Sequence, residues 1–181
     1  MGRFLFLAAV IALSPIPSHG EERFLLLRLE NGQSLGFRIL DHPRDAHLLD
    51  ADKPLEPRSA LDTAKLVTRY LAEGRVEEAS LLSNAPRARY ELMLESFAGW
   101  SEDDFRKTYA RYFAPENHIV GEVAIGEHRL LMWYLKDSDH VAAFFLVEID
   151  GRVLLDDAPN PTRANLRRVL EAYRSGKILE K

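Results

Sequence analysis

The residues whose types and spacing suit chemistry are six histidines, the adjacent Asp156 and Asp157 and an aromatic-rich stretch in a chain of 181 residues. His118, His128 and His140 each open a short apolar run. If those runs are neighbouring strands, two of the rings approach one another. Zinc, however, needs three or four ligands with outer-shell support, and no His-x-His, His-x-x-x-His or clustered glutamate spacing supplies them. Their expected role is that of polar caps beside turns, and no metal ligand is assigned.

Asp156 and Asp157 stand together at the end of an apolar run. Consecutive strand residues face opposite sides, so at most one of the two enters a pocket. Desolvated by Trp133 or Phe145 and paired with a histidine, that one would act as a general base. As strand terminators ahead of Ala158-Pro159-Asn160-Pro161, both also suit a turn leading into a helix. Tyr90, Phe97, Trp100, Phe105, Tyr109, Tyr112 and Phe113 recur at helical spacing and read mainly as core. Trp100 lies between Gly99 and Ser101, where a loop aromatic can gate a pocket or meet a partner. The candidate ligand contacts are therefore Trp100, Trp133, Tyr109 and Asp156, with no catalytic residue assigned. A Gly-x-Ser-x-Gly elbow and a glycine-rich phosphate loop are both missing from the sequence, and so is cysteine. No cofactor is expected. Near the C-terminus, Arg163, Arg167 and Arg174 share one face of an expected helix, as a basic docking surface or a solvated face.

Positioning such residues takes a fold, and the chain's first twenty residues are not expected to belong to it. Arg3, the apolar run Phe4 to Leu13, the breakers Pro15 and Pro17 and the small residues Ser18 and Gly20 resemble a cleavable secretory signal. The run is about half the ~20 residues needed to span a bilayer, and no integral membrane span is expected. Cleavage near Gly20 would leave 23 basic against 28 acidic residues, a mild negative balance that opposes nucleic-acid binding. Without cysteine there is neither a disulfide nor a lipoprotein anchor. The protein is expected to be periplasmic or secreted, as a monomer or homodimer.

Residues 21–58 read as a β-hairpin and a linker. Two apolar runs flank Asn31-Gly32, a pair that favours a type I′ turn, and the segment from Asp41 to Arg58 carries three prolines and no period. Residues 59–181 read as one α+β domain. Ser59 with Asp62 makes a capping-box-like start to one helix, Ser101 and Asp104 open another, and Gly74 and Gly99 end such runs. Four strands are expected at 118–125, 128–135, 140–149 and 152–156, joined by short links into an antiparallel meander. Asn160 and Pro161 then start a last helix.

Val67 to Ser83, VTRYLAEGRVEEASLLS, looks like the opening helix pair of many domains of the nuclear transport factor 2-like (cystatin-like cone) superfamily. The segment Phe144 to Val153 resembles the long closing strands of their curved sheet. Over residues 59–157 this resemblance implies helices packed on a curved four-stranded meander, with an extra N-terminal hairpin and a C-terminal helix outside the pattern. It also implies an apolar pocket at the wide end of a cone. The function expected is noncatalytic binding of a small apolar ligand or a protein partner in the cell envelope, with a pocket acid–base enzyme as the alternative.

One further expectation comes from the strands themselves. Leu130 to Leu135 and Val141 to Val147 are continuous apolar runs, whereas a strand with one wet face alternates. Both faces of the sheet's centre must be covered. The C-terminal helix, with Leu166, Val169, Leu170 and Tyr173 in a stripe, is the expected cover of the far face, and a dimer is the other way to cover it.

Overall fold

The computed structural model describes residues 22–28 and 32–177. The expected signal segment 1–20 and Asn31 of the expected turn lie outside the described residues.

The protein is α+β, built on one open antiparallel sheet of six strands in sequence order: β1 (Glu22–Arg28), β2 (Ser34–Leu40), β3 (His118–Ile125), β4 (His128–Leu135), β5 (His140–Ile149) and β6 (Arg152–Leu155). The N-terminal hairpin is thus no appendage to a four-stranded meander. β2 pairs with β3 through Arg38–Ala124, Ile39–Val123 and Leu40–Glu122. A bulge between Ile119 and Gly121 re-aims β3 just before this contact, and a Cβ on Gly121 would crowd Ile39 at 3.2 Å.

Turn chemistry explains the links. Asp150 (φ 50) and Gly151 (φ 73) both take positive φ between the paired Ile149 and Arg152, as a two-residue hairpin turn of the primed type demands. Gly126 (φ 58) does similar service between Ile125 and His128.

Among the described residues, five α-helices divide unequally between the faces. On one side lie α1 (Ala60–Ala72), α2 (Val76–Ser80), α3 (Pro86–Ser96) and α4 (Glu102–Tyr109), the last followed by a 3-10 turn at Ala110–Phe113. The Ser59 hydroxyl caps the Asp62 N–H at 3.0 Å, and Ser101 and Asp104 form a reciprocal capping box. Ala60, Ala64, Val67 and Leu71, on one helical stripe of α1, pack on Leu131, Trp133, Leu135 and Leu146. In α3, Met93 is buried and its neighbour Leu94 is exposed. The segment expected as a linker also enters this core, through Ala46, His47 and Leu55.

The other face belongs to α5 (Pro161–Arg174), capped by Asn160. Its Leu166, Val169 and Leu170 pack with Val123, Leu130 and Met132 of the sheet's centre and with Phe37 and Ile39 of β2. The continuous apolar strands are covered on both sides within one chain. Among the described residues, no helix is long and apolar enough to cross a membrane.

Candidate functional site

β5 has ten residues and β6 only four, so the ladder between them begins at Leu146–Leu155. Beside the first half of β5 the sheet ends in a cleft of about 360 Å³. Its apolar wall is Val67 and Leu71 of α1 with Ala142, Phe144 and Leu155. Its polar groups come from every surrounding element: Thr68 from α1, Arg89 from α3, Tyr109 from α4, Tyr112 from the 3-10 turn, His140 from β5, Asp157 beyond β6 and Arg163 from α5.

The polar end of this cleft is organised by the turn after β6. The Asp157 carboxylate accepts from the Ser83 hydroxyl at 2.7 Å and from Arg89 Nη1 at 3.1 Å. Arg163 Nη1 donates to the Asp157 carbonyl at 3.1 Å, and its guanidinium lies 5.6 Å from the centre of the Phe145 ring. The Nε atoms of Arg89 and Arg163 are both buried without a hydrogen-bond partner. Two guanidiniums therefore line the cleft against one carboxylate, a local excess of one positive charge. Burial pushes the Tyr109 phenol up to about 12 and raises Tyr112 as well. Both remain neutral hydroxyls able to donate at ordinary pH.

Behind the cleft lies a second knot. Asp156 is 1% exposed, and its carboxylate accepts from Asn84 Nδ2 (3.1 Å), from Asn160 Nδ2 (3.1 and 2.9 Å) and from His128 Nδ1 (2.9 Å). With the carboxylate as acceptor, Nδ1 of His128 is the donor of this pair. Asn84 also accepts the Asp157 N–H at 2.9 Å through its own Oδ1. The knot ties the heads of β4 and α5 to the segment between α2 and α3. Asp156→Ala is expected to cost about 3 kcal/mol or more, because three donors lose a buried acceptor at once. Asp156→Asn, which keeps one acceptor, should cost less. A urea midpoint of Asp156→Ala equal to that of wild type would refute this role.

Of the residues singled out in the sequence, Tyr109 lines the cleft, whereas Trp100, Trp133 and Asp156 do not. Trp133 is fully buried between the sheet and Tyr112, Phe113 and His47. Trp100 is 36% exposed and packs against Phe97 and Phe105, outside the cleft's lining. The strand expected to run to Asp156 ends at Leu155, so both aspartates lie in the turn after β6, and of the two it is Asp157, not Asp156, that lines the cleft. Arg163 and Arg174 turn back to the fold, Arg174 donating to the Val141 carbonyl at 2.6 Å. Arg89, Ser83 and Asn84 carry no local sequence signal; what marks them is their contact with residues some seventy positions away. The histidines do not gather. His118 and His140 lie toward one end of the sheet and His128 at the other, and no group of three metal-binding side chains occurs among the described residues.

Compared with protein-family models, curated proteins and solved structures, the chain matches none of them.

Proposed function

We propose that this chain is an exported binding protein whose cleft takes a small ligand with a single anionic head, such as a carboxylate, on an apolar body. The observation that carries this reading is the pairing of Arg89 and Arg163 against one carboxylate, Asp157, at the mouth of an apolar wall. Guanidiniums bind carboxylates through directed, charge-assisted bonds, and a few such groups in an apolar cleft are how small-molecule sites fix orientation. The tyrosine hydroxyls add neutral donors without adding negative charge.

Octanoate and 4-phenylbutanoate, titrated by calorimetry against their alcohols, test the reading. The acids should bind and the alcohols should not. Arg89→Met and Arg163→Met keep the apolar stems and should each weaken the acids by about 10-fold or more, since bonds to charged groups contribute about 1.5–3 kcal/mol. Equal binding of acids and alcohols would overturn it.

The second reading is a pocket acid–base enzyme. The His128–Asp156 pair at 2.9 Å favours it, being a histidine oriented by a buried carboxylate. Neither member lines the cleft, so binding is the stronger reading.

A further inference from the structure

The two halves of the sheet's far edge are treated differently. β6 is sealed along its outer side: Val153 N–H donates to the Pro57 carbonyl (2.7 Å), the Val153 carbonyl accepts the Thr63 hydroxyl (2.6 Å), Leu155 N–H donates to the Leu82 carbonyl (2.7 Å), and the Leu155 carbonyl accepts the Asn84 N–H (2.9 Å). The first half of β5 is not. The Phe145 carbonyl is met by the Asp156 N–H at 2.8 Å and the Val141 carbonyl by Arg174 at 2.6 Å. Backbone groups of alternate residues in an antiparallel strand point to the same side. Ala143 therefore turns its N–H and carbonyl, and Phe145 its N–H, to this same edge, and no strand or loop among the described residues pairs with them. The cleft borders them: Ala143 and Phe145 are among its lining residues, together with Arg89 and Arg163.

An open strand edge running into a cationic cleft combines two recognition modes, strand addition and capture of a chain-end carboxylate. Resting on the anion-binding reading above, we infer that the ligand is the extended C-terminal end of a peptide, which adds to β5 at Ala143 and places its carboxylate between Arg89 and Arg163. Arg163 lies against Phe145, and Arg89 is held by Asp157 just past the end of β6, so the positive groups gather at the Phe145 end. The peptide then runs parallel to β5. Arg174 at Val141 limits the pairing to the last two or three residues of the peptide.

The test uses a library of acetylated tetrapeptides with free carboxyl ends, the same peptides as C-terminal amides, copies N-methylated at the backbone, and octanoate as a non-peptide acid. The free-acid peptides should bind about 10-fold or more tightly than either modified form. Ala143→Pro deletes only an outward N–H on an edge segment, a position where proline is tolerated. It should weaken the peptides by a similar factor, and weaken octanoate, which makes no backbone pairing, far less. If octanoate binds while free-acid, amide and N-methylated peptides are equally weak, strand addition is overturned and the anion cleft stands. If neither octanoate nor any peptide binds, both readings fall. The N-methylated peptides decide the matter on the wild-type protein should Ala143→Pro not fold.

Discussion

Trp133→Ala is expected to destabilise the protein by about 3–5 kcal/mol, the range for truncating a large core side chain. The residue is mid-strand in β4 and fully buried, and its indole meets Tyr112 at 5.2 Å, Phe113 at 5.7 Å and His47 at 6.1 Å between ring centres. These neighbours belong to two separate stretches of chain, the loop 41–58 and the 3-10 turn, which Trp133 joins to the sheet. A cavity here loosens them together, because His47 is fixed at its far side by the Ala114 carbonyl at 3.0 Å and cannot follow the indole inward. The indole N–H itself is buried without a partner, so the stabilisation lies in the ring's surface and not in a hydrogen bond. Trp133→Phe, which drops that N–H and keeps an aromatic ring, should therefore lose much less than Trp133→Ala. Urea unfolding of both variants measures the difference. Equal losses would show that the indole N–H, not the packing, carries the effect.

The same tryptophan shows what local pattern can and cannot reveal. Its burial was legible, since six consecutive apolar residues have no wet face to offer. So were the strand bounds at 118–125, 128–135 and 140–149 and the caps at Ser59, Ser101 and Asn160, because turn and cap chemistry acts within a few residues. What surrounds Trp133 was not legible. His47 sits in a stretch with three prolines and no period, and only the tertiary fold turns it into core. The hairpin's place in the sheet was hidden in the same way, for the β2–β3 pairing joins residues more than eighty positions apart. At the cleft the limit is sharper. The Asp156-Asp157 pair drew notice by adjacency, but both lie past the end of β6, and it is Asp157, not the expected Asp156, that lines the cleft. Yet Arg89 looks like any exposed helical arginine until the Asp157 carboxylate is placed beside it. Arg163 belongs to a basic face that patterning assigns to solvent or a docking partner, and its real partner is the carbonyl of Asp157. Charge on a helix reports its period, not what the tertiary fold brings near it.

Deleting residues 161–181 is expected to have the largest effect of all. Leu166, Val169 and Leu170 of α5 are almost wholly buried, and they cover Val123, Leu130 and Met132 at the centre of the sheet. Burial of each such side chain contributes roughly 1.5–3 kcal/mol, so the three together reach about 5–9 kcal/mol before the newly bared strand surface is counted. That is comparable to the whole stability of a typical domain, about 5–15 kcal/mol. The deletion also removes the Arg174 bond to β5 and the Arg163 bond to the Asp157 carbonyl, which anchor the two ends of the helix. The truncated chain should lose its cooperative thermal transition, bind a hydrophobic dye and associate in size-exclusion chromatography, because a bared apolar sheet face of this size drives association. A graded version keeps the experiment readable: Leu170→Ala should fold and cost about 2–5 kcal/mol, while Arg167→Ala, on the exposed side of α5, should cost almost nothing. A truncated protein that is soluble, monomeric and as heat-stable as the full chain would mean that α5 only rests on the sheet. The continuous apolar runs of β4 and β5 would then need another cover, and a second copy of the chain would be the one to look for.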